Sequence, residues 1–134
     1  MSLPPLSPPI AFVLTANRSL SKPFYSKILG LPLLGEDDFA VAFDLGHGAM
    51  LRLTDMASHI PSPHTVLGWR VEDIAATMAD LTAKGVAFQV YDGMGQDENG
   101  VWSAGPVKVA WFLDPEGNNL SISQFDRSGG AIVA

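Results

Sequence analysis

The same order of predicted elements occurs twice in this chain of 134 residues, and that repeat restricts the folds open to it. In each copy a short apolar run precedes a helical segment that ends at a glycine, and three further apolar runs follow. The terminating glycines, Gly30 and Gly85, are 55 positions apart, as are Asn17 and Glu72, which precede the two helices. Two consecutive βαβββ modules, an α+β fold with mixed sheets, explain this pattern.

The predicted elements divide the chain into an extended proline-rich arm (residues 1–9), a first module (10–57), a linker (58–63), a second module (64–125) and a flexible tail (126–134). We expect one structural domain overall. The predicted helices are residues 19–29 and 73–84. The predicted strands are residues 10–15, 31–35, 39–45, 49–54, 65–71, 86–91, 107–113 and 119–125.

Composition excludes several classes of protein. With 47% apolar and 16% charged residues, the chain has enough apolar surface for a core and is not a disordered sequence. A net charge of −6 without a run of basic residues argues against nucleic acid and anionic membranes as partners. No cysteine is present, which excludes disulfides and thiolate metal sites. We find neither a signal peptide nor an apolar run long enough to cross a membrane, and we expect a cytoplasmic protein.

Strand alternation predicts which side chains share a face in the second module. Leu67, Trp69 and Val71 should pack beneath the helix. A regular hairpin across residues 114–119 would pair Phe112 with Ser121. It would place Lys108, Ala110, Phe112, Ser121 and Ser123 on one face.

In the first module, a two-residue turn at Gly46 and His47 would bring Val41 and Phe43 to the same face as Met50 and Arg52. A turn longer by one residue would move Val41 and Phe43 to the opposite face. In the second module, the long segment 92–105 contains Trp102 and is either a binding loop or a plain surface excursion.

Three basic residues, Arg52, Arg70 and Lys108, are thus expected on one concave face of an acidic protein. Two interpretations are open. The cations form internal ion pairs, with Glu36, Asp44 or Glu72 as partners, or they bind a carboxylate-bearing aromatic ligand.

Three features of the chain resemble the vicinal oxygen chelate superfamily. They are the paired modules, the predicted helical sequence Phe24-Tyr25 followed by Ile28-Leu29-Gly30-Leu31, and the turn Asp114-Pro115-Glu116-Gly117-Asn118. This superfamily includes glyoxalases, bleomycin-resistance proteins and extradiol dioxygenases, and the resemblance covers residues 9–125. It implies a sheet from each module curling around a cup, helices on the outside, and a homodimer.

The resemblance also identifies four positions where metal-dependent relatives carry ligands, and here they hold Ile10, Arg52, Val66 and Ser121. Two aliphatic side chains, a guanidinium and a lone hydroxyl do not form a divalent-metal site. His64 lies two residues before Val66 on the same strand face and is either a shifted ligand or a surface residue at the strand end. We expect no metal and no other cofactor.

The sequence favours a metal-free small-molecule-binding protein that takes an aromatic or anionic ligand in the cup. The alternative is a metal-dependent lyase or dioxygenase, similar to lactoylglutathione lyase, with unusual ligands, so catalysis stays open. A third possibility is an interaction module without a ligand. No catalytic residue is assigned, since Ser121 and Ser123 have no predicted relay partners. The candidate ligand-binding residues are Arg52, Arg70, Lys108, Phe112, Ser121, Ser123, Met50, Phe43 and Trp102.

Overall fold

A computed structural model describes residues 2–126, so the predicted tail lies outside the described residues except for Asp126. The chain divides into two compact units, one ending at Ile60 and the other starting at Pro61. Among the described residues, each unit contains one α-helix and one four-stranded mixed sheet. The predicted α+β fold of two βαβββ modules is confirmed. In the described part of the chain, no helix is both long and apolar enough to cross a membrane.

The first unit contains helix α1 (Arg18–Pro23) and a sheet with the strand order β1-β4-β3-β2. The Asn17 side chain caps α1 by accepting the Leu20 N–H at 3.3 Å. A π-helical turn, Phe24–Ile28, follows Pro23 directly and buries Phe24 and Tyr25. The strands are β1 (Ile10–Thr15), β2 (Leu33–Glu36), β3 (Ala40–Gly46) and β4 (Ala49–Asp55).

The sequence predicts an extended N-terminal arm, but part of the arm forms a turn. The Pro4 carbonyl accepts both the N–H and the hydroxyl of Ser7, at 3.2 and 2.7 Å, which closes a turn. The arm then runs onto its own sheet, where the Pro9 carbonyl accepts the Met50 N–H at 3.1 Å. Pro8 lies against Gly48, because a β-carbon at Gly48 would be 2.9 Å from the Pro8 ring.

The register of β3 against β4 corrects the predicted faces of the first unit. Met50 pairs with Asp44, and an irregularity between Asp44 and Gly46 adds a residue at the turn. Phe43 consequently pairs with Leu51 and lies on the face covered by the helix, fully buried. The expectation that Phe43 shares a face with Met50 and Arg52 is therefore wrong.

The second unit contains helix α2 (Ile74–Ala83) and a sheet with the strand order β5-β8-β7-β6. Asp73 caps α2 by accepting the Ala76 N–H at 3.0 Å. The strands are β5 (Thr65–Arg70), β6 (Trp102–Ala104), β7 (Val107–Leu113) and β8 (Asn119–Phe125).

The edge of the second sheet differs from the prediction of a strand at residues 86–91. That segment forms only an isolated bridge, Phe88 to Phe112, and the Gln89 N–H bonds to the Trp111 carbonyl at 2.8 Å. The edge strand is instead β6, within the segment predicted as a loop, and Trp102 pairs with Val109. Two separate pieces of chain thus line the outer side of β7.

The β7–β8 hairpin is offset by one residue from the predicted register. Leu113 pairs with Asn119, so Phe112 pairs with Leu120 and Trp111 with Ser121. A shift of one residue reverses the face of every side chain on the strand. Phe112 and Lys108 therefore lie on the helix-covered face, and their predicted location beside Ser121 and Ser123 is wrong. Leu67 and Trp69 lie beneath the helix as predicted, since they pair with Leu120 and Ile122.

Candidate functional site

We define the open face of each sheet as the face turned away from the helix of the same unit. The open face of the second sheet brings together four of the predicted site residues and aromatic residues that were not predicted. Register places Trp102, Val109, Ser123 and Arg70 in one row across the strands, and Trp111, Ser121 and Gly68 in the next.

The remaining predicted site residues lie elsewhere. Met50 and Arg52 are on the open face of the first sheet, beside Ile10 and Phe12 of β1. Phe43 is buried against Tyr25, with the ring centroids 6.0 Å apart. On the helix-covered face of the second unit, Phe112 is fully buried, and Lys108 lines a groove beside α2.

Two aromatic side chains missed by the sequence analysis form a wall of the second open face. The rings of Trp111 and Tyr91 meet edge to face with centroids 6.2 Å apart. Asn119 donates to the Tyr91 hydroxyl at 3.2 Å and accepts the Thr65 hydroxyl at 3.1 Å. The sequence does not indicate which face of β7 carries Trp111, because this strand is apolar on both faces except at Lys108.

The floor of this open face is shaped by a glycine and two serines. A β-carbon at Gly68 would stand 2.5 Å from the Ser121 hydroxyl oxygen, which is closer than β-carbons approach non-bonded atoms in folded proteins. Gly68 therefore leaves a strip of bare backbone next to Ser121. The hydroxyl groups of Ser121 and Ser123 supply neutral hydrogen-bonding atoms on the same strand.

Arg70 is the charged residue of this face. Its guanidinium carbon lies 5.4 Å from the centroid of the Phe125 ring, a cation–π contact. Within residues 2–126, no carboxylate lies at ion-pair distance from Arg70. Its positive charge is therefore not neutralised by the described part of the chain.

Arg52 has a different environment on the first unit. Its guanidinium donates to the Asp37 carboxylate at 3.1 Å, and the Arg52 side chain is 28% exposed. An internal ion pair is one of the two interpretations of the sequence, but the partner is Asp37 and not Glu36, Asp44 or Glu72. The same carboxylate accepts the backbone N–H groups of Phe39 and Ala40 at 2.8 and 2.9 Å. The pKa of Asp37 lies below its usual value. The hydrogen bond from the Phe39 N–H is the largest cause, followed by the bonds from Arg52 and from the Ala40 N–H.

A second charged cluster at the edge of the first unit joins α1 to the strands. Arg18 forms an ion pair with Asp55 at 2.6 Å and donates to the Asp37 carbonyl at 2.9 Å. The carboxylate of Glu36 contacts both Lys22 and Arg18. The Lys22 hydrogen bond is the main reason that the pKa of Glu36 lies below its usual value, and the bond to Asp55 raises the pKa of Arg18.

The side-chain amide of Gln96 forms hydrogen bonds across the loop between Gln89 and Trp102. The Gln96 oxygen accepts the Tyr91 N–H at 2.7 Å, and its nitrogen donates to the carbonyls of Gln89 and Gly100 at 2.9 and 2.7 Å. These bonds connect the residues that precede the loop to those that follow it. They fix the backbone of Tyr91, whose ring stands against Trp111.

The metal positions implied by the family resemblance do not suit a divalent ion. Ile10 and Val66 have no donor atoms, Arg52 is a cation already paired with Asp37, and Ser121 offers one hydroxyl that lies against Gly68. Within residues 2–126, no three His, Asp or Glu side chains form a group of metal-binding geometry. No reaction step through a metal is derived from these residues.

A comparison with protein-family models identifies one family. A model described as the Glyoxalase/Bleomycin resistance protein/Dioxygenase superfamily matches residues 12–122. No curated protein matches the chain.

Among solved structures, TnmS3, an antibiotic binding protein from Streptomyces sp. CB03234, has a TM-score of 0.71 at 23% identity, covering 94% of this chain and 99% of that one. A glyoxalase/bleomycin resistance protein from the same organism has a TM-score of 0.63 at 25% identity, covering 88% and 100%. An integron cassette protein, HFX_CASS4, from the mobile metagenome of the Halifax Harbour sewage outfall, has a TM-score of 0.66 at 21% identity, covering 89% and 98%.

Proposed function

Since this chain belongs to the glyoxalase/bleomycin resistance protein/dioxygenase superfamily, we propose that it is a metal-free small-molecule-binding protein. Its ligand is aromatic or anionic and lies on the open face of the second sheet. The observation that carries this proposal is the grouping of Trp102, Trp111 and Tyr91 around two serine hydroxyls on one face. Aromatic walls with a few polar atoms are typical of small-molecule sites.

A binding role without a metal is supported by the donor set. The chemistry of glyoxalases and extradiol dioxygenases depends on a metal ion as Lewis acid or oxygen-activating centre. Isoleucine, valine and a paired arginine at the corresponding positions do not hold such an ion. The structural similarity to TnmS3 is a similarity of fold, and that protein's description as antibiotic binding is compatible with a binding role here.

The proposal is tested in two steps. Elemental analysis after dialysis against zinc, nickel, manganese and iron should find far less than one ion per chain, and a tightly held stoichiometric ion would favour the metal-dependent lyase or dioxygenase alternative. A thermal-shift panel of neutral and anionic aromatic compounds should then yield ligands. A panel without any ligand would overturn the proposal.

The location of the ligand is tested with Trp111→Leu. Loss of the indole removes an aromatic contact of about 0.5–1.5 kcal/mol, so each ligand should bind roughly two- to tenfold more weakly. Phe39→Leu is the matched control, since Phe39 is an exposed aromatic residue of the first unit. Equal affinities for wild type and Trp111→Leu would remove the second open face as the site.

We also propose a homodimer that works in the cytoplasm. Strand β1 is at the edge of the first sheet and exposes two large apolar side chains, Ile10 and Phe12, at 52% and 61%. An edge strand with exposed apolar side chains is stabilised when a second chain covers it. Light scattering at micromolar concentration should give twice the chain mass of 14.3 kDa, and a monomer would reject the dimer.

A further inference from the structure

We propose that the ligand of the second open face is an aryl carboxylate or a similar elongated aryl anion, with its ring at Trp111 and its anionic group at Arg70. This inference rests on the proposed function and adds the chemical class and the orientation of the ligand.

The aromatic pair and the cation lie toward opposite ends of the face. Ser121, Ser123 and Phe125 are alternate residues of β8 and therefore share the open face. Trp111 pairs with Ser121 at one end, whereas the Arg70 guanidinium reaches over Phe125 at the other. Ser121 and Phe125 are four positions apart on β8, which separates their Cα atoms by about 13 Å. A ligand that touches both ends must be elongated.

Charge indicates the chemistry expected at the Arg70 end. Arg70 is the only charged side chain among the strand residues of this face within the described chain. It lacks a carboxylate partner in residues 2–126, in contrast to Arg52, which is paired with Asp37. A guanidinium presents a fork of N–H donors that matches a carboxylate or phosphonate. An anionic group is therefore the complement of this end.

The strand residues of this face between the two ends carry no charged side chain in the described part of the chain. Gly68 carries no side chain, and the Ser121 hydroxyl fills the position where a β-carbon would otherwise stand. Trp111 and Tyr91 border this strip on the β7 side. In the proposed orientation, a planar ring lies on the strip next to the Trp111 indole, and an aliphatic or aryl linker extends past Ser123 toward Arg70.

The experiment uses a series of phenylalkanoates from phenylacetate to phenylhexanoate, each compared with its neutral amide, titrated into the full chain by calorimetry. Each acid should bind roughly ten- to hundredfold more tightly than its amide. Arg70→Gln should abolish this preference. Lys84→Gln is the control, because it removes one positive charge from the C-terminal cap of α2 in the same unit. This variant should keep the preference for the acid over the amide.

Chain length tests the orientation. In wild type the acids should bind more tightly as the linker grows, because only the longer ones reach from Arg70 to Trp111. Trp111→Leu should flatten this dependence while leaving the preference for acid over amide.

Equal binding of acid and amide in wild type, or an acid preference that survives Arg70→Gln, would overturn the inference and leave the proposed function standing. Absence of binding by every acid would also overturn it. The proposed function is tested separately, by elemental analysis and by the wider aromatic panel, and a panel without any ligand would overturn it. A length dependence that is unchanged in Trp111→Leu would reject the assigned orientation.

Discussion

The Ser121 hydroxyl occupies the space that a side chain at position 68 would need. An ideal β-carbon on Gly68 would be 2.5 Å from that oxygen and 3.3 Å from the Ser121 carbonyl oxygen. The backbone of Gly68 is not in the left-handed region, so glycine is required there by packing between β5 and β8 and not by conformation.

Gly68→Ala should lower the free energy of unfolding by about 1–3 kcal/mol, because the new methyl group displaces the Ser121 hydroxyl. Adding Ser121→Ala should recover part of that loss, which urea unfolding of the two single variants and the double variant would measure. Gly35→Ala is the control, because a β-carbon there meets no atom within 4 Å. Strictly additive effects of the two substitutions would contradict this account.

Gln96→Ala should loosen the loop between Gln89 and Trp102. The substitution removes three hydrogen bonds to backbone groups and should cost about 1–3 kcal/mol. Amide hydrogen exchange at Tyr91 should accelerate, since its N–H loses its acceptor. Gln89→Ala removes a single local bond to the Ala87 carbonyl and should have a smaller effect. Unchanged exchange at Tyr91 in Gln96→Ala would show that the loop is held by other contacts.

Asp114→Ala should destabilise the β7–β8 hairpin. The Asp114 carboxylate accepts the N–H groups of Glu116 and Asn118, each at 2.9 Å, and the Asn118 side-chain amide at 2.8 Å. Asp114 and Asn118 are both buried, so the two Asn118 donors lose their acceptor without access to water. We expect a loss of about 2–4 kcal/mol in thermal or urea unfolding.

Asp97 provides the comparison for Asp114. Its carboxylate accepts the N–H groups of Asn99 and Val101, also at 2.9 Å each, but it is exposed. Water replaces the lost acceptor in Asp97→Ala. This substitution should therefore lower the free energy of unfolding less than Asp114→Ala does. A larger effect at Asp97 than at Asp114 would contradict burial as the cause.

Acid should destabilise the first unit through Glu36 and Asp37. The pKa of each carboxyl group is lower in the folded chain than its usual value, chiefly because of the Lys22 hydrogen bond for Glu36 and the Phe39 N–H for Asp37. Their stabilising contribution is therefore present above the usual pKa and is lost as pH falls through the lowered value.

Urea unfolding measures the free energy of unfolding between neutral pH and about pH 3. This free energy should fall less steeply with pH in Glu36→Gln than in wild type. Asp38→Asn is the control, because Asp38 forms no ion pair with any described residue. A wild-type slope retained in Glu36→Gln would exclude Glu36 as a source of the acid sensitivity.

The sequence alone determined the architecture of this protein. Helix-terminating glycines and short apolar runs are local signals, and they predicted β1, β7 and β8 with the bounds that the structure has. They did not predict that β6, and not residues 86–91, forms the edge strand of the second sheet. That choice depends on which piece of chain reaches the outer side of β7, and the Gln96 hydrogen bonds across the loop help to decide it.

Tertiary structure alone decided the composition of the candidate site. Face assignment depends on register, and one residue in the turns after Asp44 and Leu113 moved Phe43, Lys108 and Phe112 to the helix-covered faces. The same shift brought Trp111 to the open face beside Ser121. A strand that is apolar on both faces, such as β7, carries no alternation from which register can be read. Its faces are distinguished only by what packs against them.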